Sequence, residues 1–375
     1  MNTYSIHEYK EYTMFNIENY EIFKVVNAFA LVMGITFGVI AQKTQFCFNG
    51  AIKDYLLISS TKRGSSVITA MITAIIATYI LTLFYDIDLV ETVWLREEIN
   101  YFTIILGGSL FGIGMMIADG CTSRHLVKFS QGDAHSVVTL LFIAIFAYAS
   151  TKGILSKLVY TLISNETMVD LSSTIVNEQT NIFMVLSFLF LGWFYLTKKF
   201  KRISSVKDGV FIGLLIAFGW YLTGVYGAES LELDSRYVPL TSVTFVGPTA
   251  KTLEFLTHYK TSSLNFGISI IFGVLIGAFS MSKINTRYSL GCASDLKINK
   301  LKNSMVGGAL MGVGGVMSLG CTVGQGLTGF STLAFASIVA ISSIFVSGAL
   351  TGLYLKKKNK LPMCFIFEWE DEKKK

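Results

Sequence analysis

Residues 107–122 read GGSLFGIGMMIADGCT, and residues 307–322 read GGALMGVGGVMSLGCT. Gly107, Gly108, Gly112, Gly114, Gly120, Cys121 and Thr122 recur 200 positions later. Two unrelated small-residue packing helices would share some glycines, but not the Gly-Cys-Thr that ends both stretches. The similarity runs on into Phe129-Ser130 and Phe330-Ser331, now offset by 201, so one residue has been inserted. The chain is expected to fold as a duplicated unit with a special break at each Gly-Cys-Thr.

The surroundings of the repeat place it in a membrane. Of 375 residues, 52% are hydrophobic and 15% charged, against about 25% charged in soluble domains. The aromatic content and long apolar runs exclude disorder and collagen-like repeats. Cys47, Cys121, Cys292, Cys321 and Cys364 are too few and too dispersed for a disulfide-stapled secreted module. No basic run is interleaved with aromatics in the manner of a nucleic-acid binder. A helix needs roughly 20 apolar residues to cross a bilayer. Nine segments approach this: 25–42, 66–85, 103–118, 135–150, 182–197, 209–226, 266–281, 304–318 and 333–353. The expected fold is all-α, a polytopic membrane protein with about nine transmembrane helices.

Orientation follows from the basic residues. Segments 43–65, 119–134, 198–208, 282–303 and 354–375 carry 23 of the 31 Lys and Arg. The alternate segments 1–24, 86–102, 151–181, 227–265 and 319–332 carry 8, and none falls inside a span. The positive-inside rule places the N-terminus outside and the C-terminus in the cytoplasm, in a multi-pass cell (inner) membrane protein surrounded by lipid. Residues 1–24 lack a basic region followed by a small-residue cleavage site and read as an extracytoplasmic segment. Residues 25–353 then form one transmembrane domain, with repeat one about 25–150, repeat two about 209–353, and 354–375 a charged cytoplasmic tail.

Spans three and eight are separated by an odd number of crossings, so the two copies point in opposite directions. Inverted repeats are a transporter architecture, with the site between the halves at mid-bilayer. Gly120 and Gly320 are expected to let the chain leave the helix. Segments 122–134 and 322–332 are too polar to cross and too long for a tight turn, and read as re-entrant loops. A third candidate is 43–58, around Cys47, with a looser counterpart near 283–298 around Cys292.

No expected span contains Asp, Glu, Lys or Arg, which speaks against an ionisable group in the midplane. No Ser-His-Asp spacing, HExxH, CxxC or P-loop occurs, and the four histidines and isolated cysteines give no metal-ligand spacing. No cofactor is implied and the chain does not read as an enzyme. What remains is thiols at helix breaks. A thiol is a polarizable, weak hydrogen-bonding group, suited to a soft sulfur- or selenium-bearing anion that half-helix N-termini could also hold. Thr122, Thr322 and Gln325 adjoin these breaks. Gln42, Lys43, Asn49, His125 and Gln325 are expected mainly on solvated loop faces. A membrane thiol-disulfide oxidoreductase and a passive channel for a neutral solute are the alternatives. The first normally needs a CxxC or vicinal pair.

GVIAQKTQFCFNGAIKD (38–54), GGSLFGIGMMIADGCTSRH (107–125), GWYLTG (219–224) and GGALMGVGGVMSLGCTVGQG (307–326) resemble the YeeE/YedE family of sulfur-compound transporters, which includes thiosulfate permeases. The resemblance implies an hourglass of about nine spans whose loops meet at a constriction. It implies import of thiosulfate or a related sulfur-containing anion past Cys47, Cys121 and Cys321. It also brings selenium compounds as an alternative cargo and a small cytoplasmic TusA-like sulfur carrier as a partner. The first repeat departs from the family's GCxxG by reading GCTSRH, which puts Arg124 and His125 opposite Gly324 and Gln325.

Overall fold

The computed structural model describes residues 22–85, 87–96, 99–164, 190, 204–227, 238–258, 263–286, 288 and 298–360. Among these the regular structure is helical, in chain order α1 (Ile22–Thr44), α2 (Phe48–Ile58), α3 (Lys62–Phe84), α4 (Tyr101–Ile117), α5 (Thr122–Ser130), α6 (Ala134–Thr151) and α7 (Ser156–Ser164). There follow α8 (Ser204–Tyr221, continued by a π turn over Leu222–Tyr226), α9 (Val246–Thr257), α10 (Phe266–Ile284) and α11 (Ile298–Met317). The last are α12 (322–331, with a π turn over Gly324–Gly329) and α13 (Phe335–Lys357).

Seven helical stretches among the described residues are long and apolar enough to cross a membrane. At 1.5 Å per residue the 23-residue α1, α3 and α13 measure about 35 Å, enough for a ~30 Å hydrocarbon core. Of the nine expected segments, 182–197 lies outside the described residues apart from Phe190, as do Cys292 and almost all of 1–24. Segment 304–318 lies in α11, whose first turns carry Lys300 and Lys302, so its length exceeds its apolar part. The outer faces carry Leu83, Phe84, Phe102, Ile145, Val346 and Leu350 in the open. Water would not tolerate so continuous an apolar surface, but lipid does.

Glycines set the inner architecture. α4 and α11 run antiparallel at the centre. A Cβ added to Gly107 would lie 2.6 Å from Met317 Cβ, and one on Gly307 would lie 2.6 Å from Ala118 Cβ. One turn further in from each end, Gly114 faces Gly307 and Met311, while Gly314 faces Gly107 and Phe111. The flanking partners exchange in the same way. Gly108 and Gly112 abut Ala340, Ser343, Ile344 and Ser347 of α13, whereas Gly308 and Gly312 abut Thr139, Phe142, Ile143 and Phe146 of α6. These neighbours differ by 200 or 201 residues, so the sequence repeat is also a repeat of contacts about an approximate two-fold axis. Two parallel pairs complete the frame. α1 meets α10 backbone to backbone at Gly34, Gly38, Gly273 and Gly277, and α3 meets α8 at Gly209 and Gly213.

Candidate functional site

Three helices begin immediately after a cysteine: α2 after Cys47, α5 after Cys121 and α12 after Cys321. Each cysteine carbonyl accepts the first i to i+4 bond of its helix, from Ala51 N–H (3.0 Å), His125 N–H (3.0 Å) and Gln325 N–H (2.7 Å). Each is an N-cap, a position where Ser, Asp or Asn normally supplies a strong oxygen acceptor. Sulfur is a poorer acceptor. Cys47 Sγ takes Gly50 N–H at 3.3 Å and Cys321 Sγ takes Gly324 N–H at 3.3 Å. Cys121 Sγ contacts Ser123 Oγ at 3.3 Å.

The backbone entering each cysteine is also the same. Two residues earlier stands a left-handed residue: Gln45 (φ 58°), Asp119 (φ 65°) and Leu319 (φ 57°). At the repeated breaks the next N–H closes the helix, Gly120 N–H on Met115 O at 3.0 Å and Gly320 N–H on Gly315 O at 2.8 Å. The expectation that Gly120 and Gly320 make the turn is therefore corrected, since Asp119 and Leu319 carry the positive φ. The glycines leave room for the helix that follows. A Cβ at Gly120 would lie 3.2 Å from Arg124 Cγ and His125 Nε2, and one at Gly320 would lie 3.3 Å from Gln325 Cγ. The segments expected as re-entrant loops, 122–134 and 322–332, are largely helical, and most of their polar side chains are buried.

The starts of the three helices converge. The Cys121 thiol lies close enough to the Cys47 thiol for the two to interact electrostatically, and the Phe48 ring of α2 lies against Gly326 of α12. All three cysteines are free and buried, at 4%, 1% and 1% exposure in chain order. Thr122 and Thr322 are fully buried, and Thr122 Oγ1 has no hydrogen-bond partner among the described residues. Gln325 is buried as well, donating to Ser318 O and accepting from Ser337 Oγ at 2.7 Å. It fixes the second break to α13.

Gln42, Asn49, His125 and Gln325, expected mainly on solvated faces, are all buried, whereas Lys43 is exposed. Asn49 Nδ2 donates to Met115 O at 3.1 Å, tying α2 to the end of α4. The larger correction is electrostatic, because charge is buried beside the first break. Asp119 accepts from Lys53 of α2 and from Lys128 of α5, the latter at 2.8 Å to Oδ2 and 2.6 Å to the backbone oxygen. Arg124 is 5% exposed on the same helix. At the second break the corresponding positions are Leu319, Gly324 and Thr328, all uncharged. Sequence reasoning also missed the wall beside α12. Thr328 Oγ1 donates to Val243 O at 2.6 Å, and Trp220 Nε1 donates to Ser331 Oγ at 2.9 Å. The GWYLTG motif was the available signal, since a tryptophan so placed needs a partner for its N–H when buried. Among the described residues no group of three or more His, Cys, Asp or Glu could hold a metal ion.

Antiparallel halves, apolar outer faces and buried thiols at matched helix starts define a multi-pass membrane protein of the transporter type. Residues 43–351 match the family described as Sulphur transport, and the chain belongs to that family. The thiosulfate transporter TsuA of Spirochaeta thermophila is 26% identical over 346 residues, covering 86% of this chain and 96% of that protein. TsuA of Escherichia coli K12 is 20% identical over 313 residues, covering 79% of this chain and 85% of its own length. The probable transporter YedE of the same organism is 27% identical over 107 residues, 28% of this chain and 25% of YedE.

Proposed function

We propose that this protein imports thiosulfate or a closely related sulfur-containing anion along a route formed by Cys47, Cys121 and Cys321. The observation that carries the reading is the convergence of three helix N-termini, each headed by a buried cysteine. The N-terminus of a helix favours an anion by about 0.3–1 kcal/mol when exposed and up to ~2 kcal/mol when partly buried. A thiol holds the cap N–H groups weakly, so an anion's oxygens can compete for them, while its soft sulfur meets polarizable thiols. The names of the two long relatives supply the cargo.

In this reading the two repeats face each other across the bilayer with the N-terminus outside and the C-terminus in the cytoplasm. Lipid surrounds the frame, and a small TusA-like carrier receives sulfur on the cytoplasmic side. Gly120, Gly320, Thr122, Thr322 and Gln325 shape the two repeated breaks. A membrane potential of 100 mV opposes a dianion by roughly 4.6 kcal/mol, so inward movement needs a concentration gradient, consumption inside or a coupled ion.

The test is labelled-thiosulfate uptake into proteoliposomes. Cys121→Ala and Cys321→Ala should each abolish uptake while the protein still inserts. Normal uptake in both would refute the thiol route. Competition by sulfate, sulfite and selenium analogues separates a sulfur carrier from a selenium carrier.

A further inference from the structure

We propose, resting on the transport reading above, that His125 takes up a proton with each anion and passes one on through Ser136 and Asp133, so that import is proton-coupled. His125 is 2% exposed on the first turn of α5, and its N–H closes the Cys121 cap. Its Nδ1 lies 3.0 Å from Ser136 Oγ, and Ser136 Oγ donates to Asp133 Oδ2 at 2.6 Å. The serine's one proton is committed to the carboxylate, so it can only accept from the ring. The neutral ring therefore carries its proton on Nδ1 and presents a bare Nε2. That atom is buried, has no hydrogen-bond partner among the described residues, and faces Gly120. Asp133 is half-buried, which gives the chain an outlet.

The second repeat serves as an internal control. Gln325 occupies the position of His125, and its Oε1 accepts from Ser337 Oγ, the counterpart of Ser136. Ala334 stands where Asp133 does. The scaffold therefore needs only a polar side chain bonded to this serine, and a titratable group with an acidic outlet exists in one half alone.

The charges around the ring are Lys128 and Arg124 on α5, Asp119 at the break and Asp133 heading α6, with His135 two residues beyond. Lys53 of α2 reaches Asp119. On the other helices packed against α5, α10 carries Lys283, set over the Tyr288 and Phe279 rings, and α1 carries Lys24 and Lys43. A dianion seated at Cys121 shifts this balance toward a charged ring, so anion and proton each favour the other's binding. Nε2 gains a proton from the pathway. One proton leaves from Nδ1 to Ser136, the serine's own proton passes to Asp133, and that carboxyl releases it to water. The hydroxyl and the ring then return to their starting tautomer. One proton enters and one leaves, and the dianion crosses with a net charge of −1.

The experiment uses the full chain in proteoliposomes with labelled thiosulfate and the potential clamped at zero. With the lumen one pH unit more alkaline, one coupled proton gives about tenfold steady-state accumulation. A lumenal pH dye should report acidification on adding thiosulfate. His125→Gln, the residue of the other repeat, should equilibrate thiosulfate to a ratio near one whatever the gradient. If H125Q moves no anion, S136A carries the test and must lose the gradient response. Wild-type flux indifferent to the gradient, or a variant that still accumulates tenfold, overturns the proposal and leaves the transport reading standing. Absence of any wild-type flux overturns both.

Discussion

The buried ion cluster at the first break gives a quantitative test. Asp119→Asn removes the charge and keeps a residue that tolerates the left-handed backbone, so the loss is electrostatic. The Lys128–Asp119 contact at 2.8 Å represents a gross attraction of about 6 kcal/mol at an effective dielectric of 20. Lysines 53 and 128 show side-chain exposures of only 9% and 4%, so water recovers little of it. Stranding buried charge in this way typically costs about 3–5 kcal/mol. With unfolding entropy near 2.1 cal/mol/K per residue, that corresponds to a fall of roughly 5 °C in apparent melting temperature. The assay is thermal unfolding of the detergent-solubilised protein followed by intrinsic fluorescence. Asp119→Asn with Lys128→Thr, the residue at 328, should recover part of the loss because one stranded cation is gone. A single variant melting within 1 °C of wild type, or a double variant less stable than the single, would show that solvent screens the cluster and refute the reasoning.

Two further outcomes follow from the same geometry. Because the Cys47 and Cys121 thiols lie close enough to interact electrostatically, mild oxidation should join them and stop thiosulfate uptake reversibly. Mass spectrometry of the linked peptides and rescue by a reducing agent check this, and uptake surviving complete cross-linking would count against the route. Trp220→Phe removes the bond to Ser331 and should cost about 1 kcal/mol. It should also slow uptake several-fold at unchanged protein level, and an unaltered rate would mean that α12 is held in place without it.

The legible part of this fold was what repeats in side-chain identity. Seven matching positions announced a duplicated helix and break, the structure packs the two copies on each other as the α4–α11 seam, and α13 and α6 exchange around it at an offset of 201. The equivalence of the third break was not legible. Gln45-Phe46-Cys47 shares only its cysteine with Asp119-Gly120-Cys121, and the likeness lies in φ angles that side chains do not spell out. Glycine drew attention as the obvious left-handed residue, yet here it provides clearance. The buried charges were hidden for another reason. Lys53, Asp119 and Lys128 read individually as solvated loop residues, and their mutual pairing allows the lysines inside. Pairing between α2, a turn and α5 is tertiary information.

The matched breaks leave the molecule symmetric in chassis and lopsided in lining. Leu319, Gly324, Gln325 and Thr328 make the second break neutral, while Asp119, Arg124, His125 and Lys128 make the first ionic. The same backbone cradle therefore occurs twice, upholstered differently. A doubled template has thus kept its backbone while a handful of positions in one copy diverged in charge, so the two copies can be told apart by an ion although not by a helix packed against them.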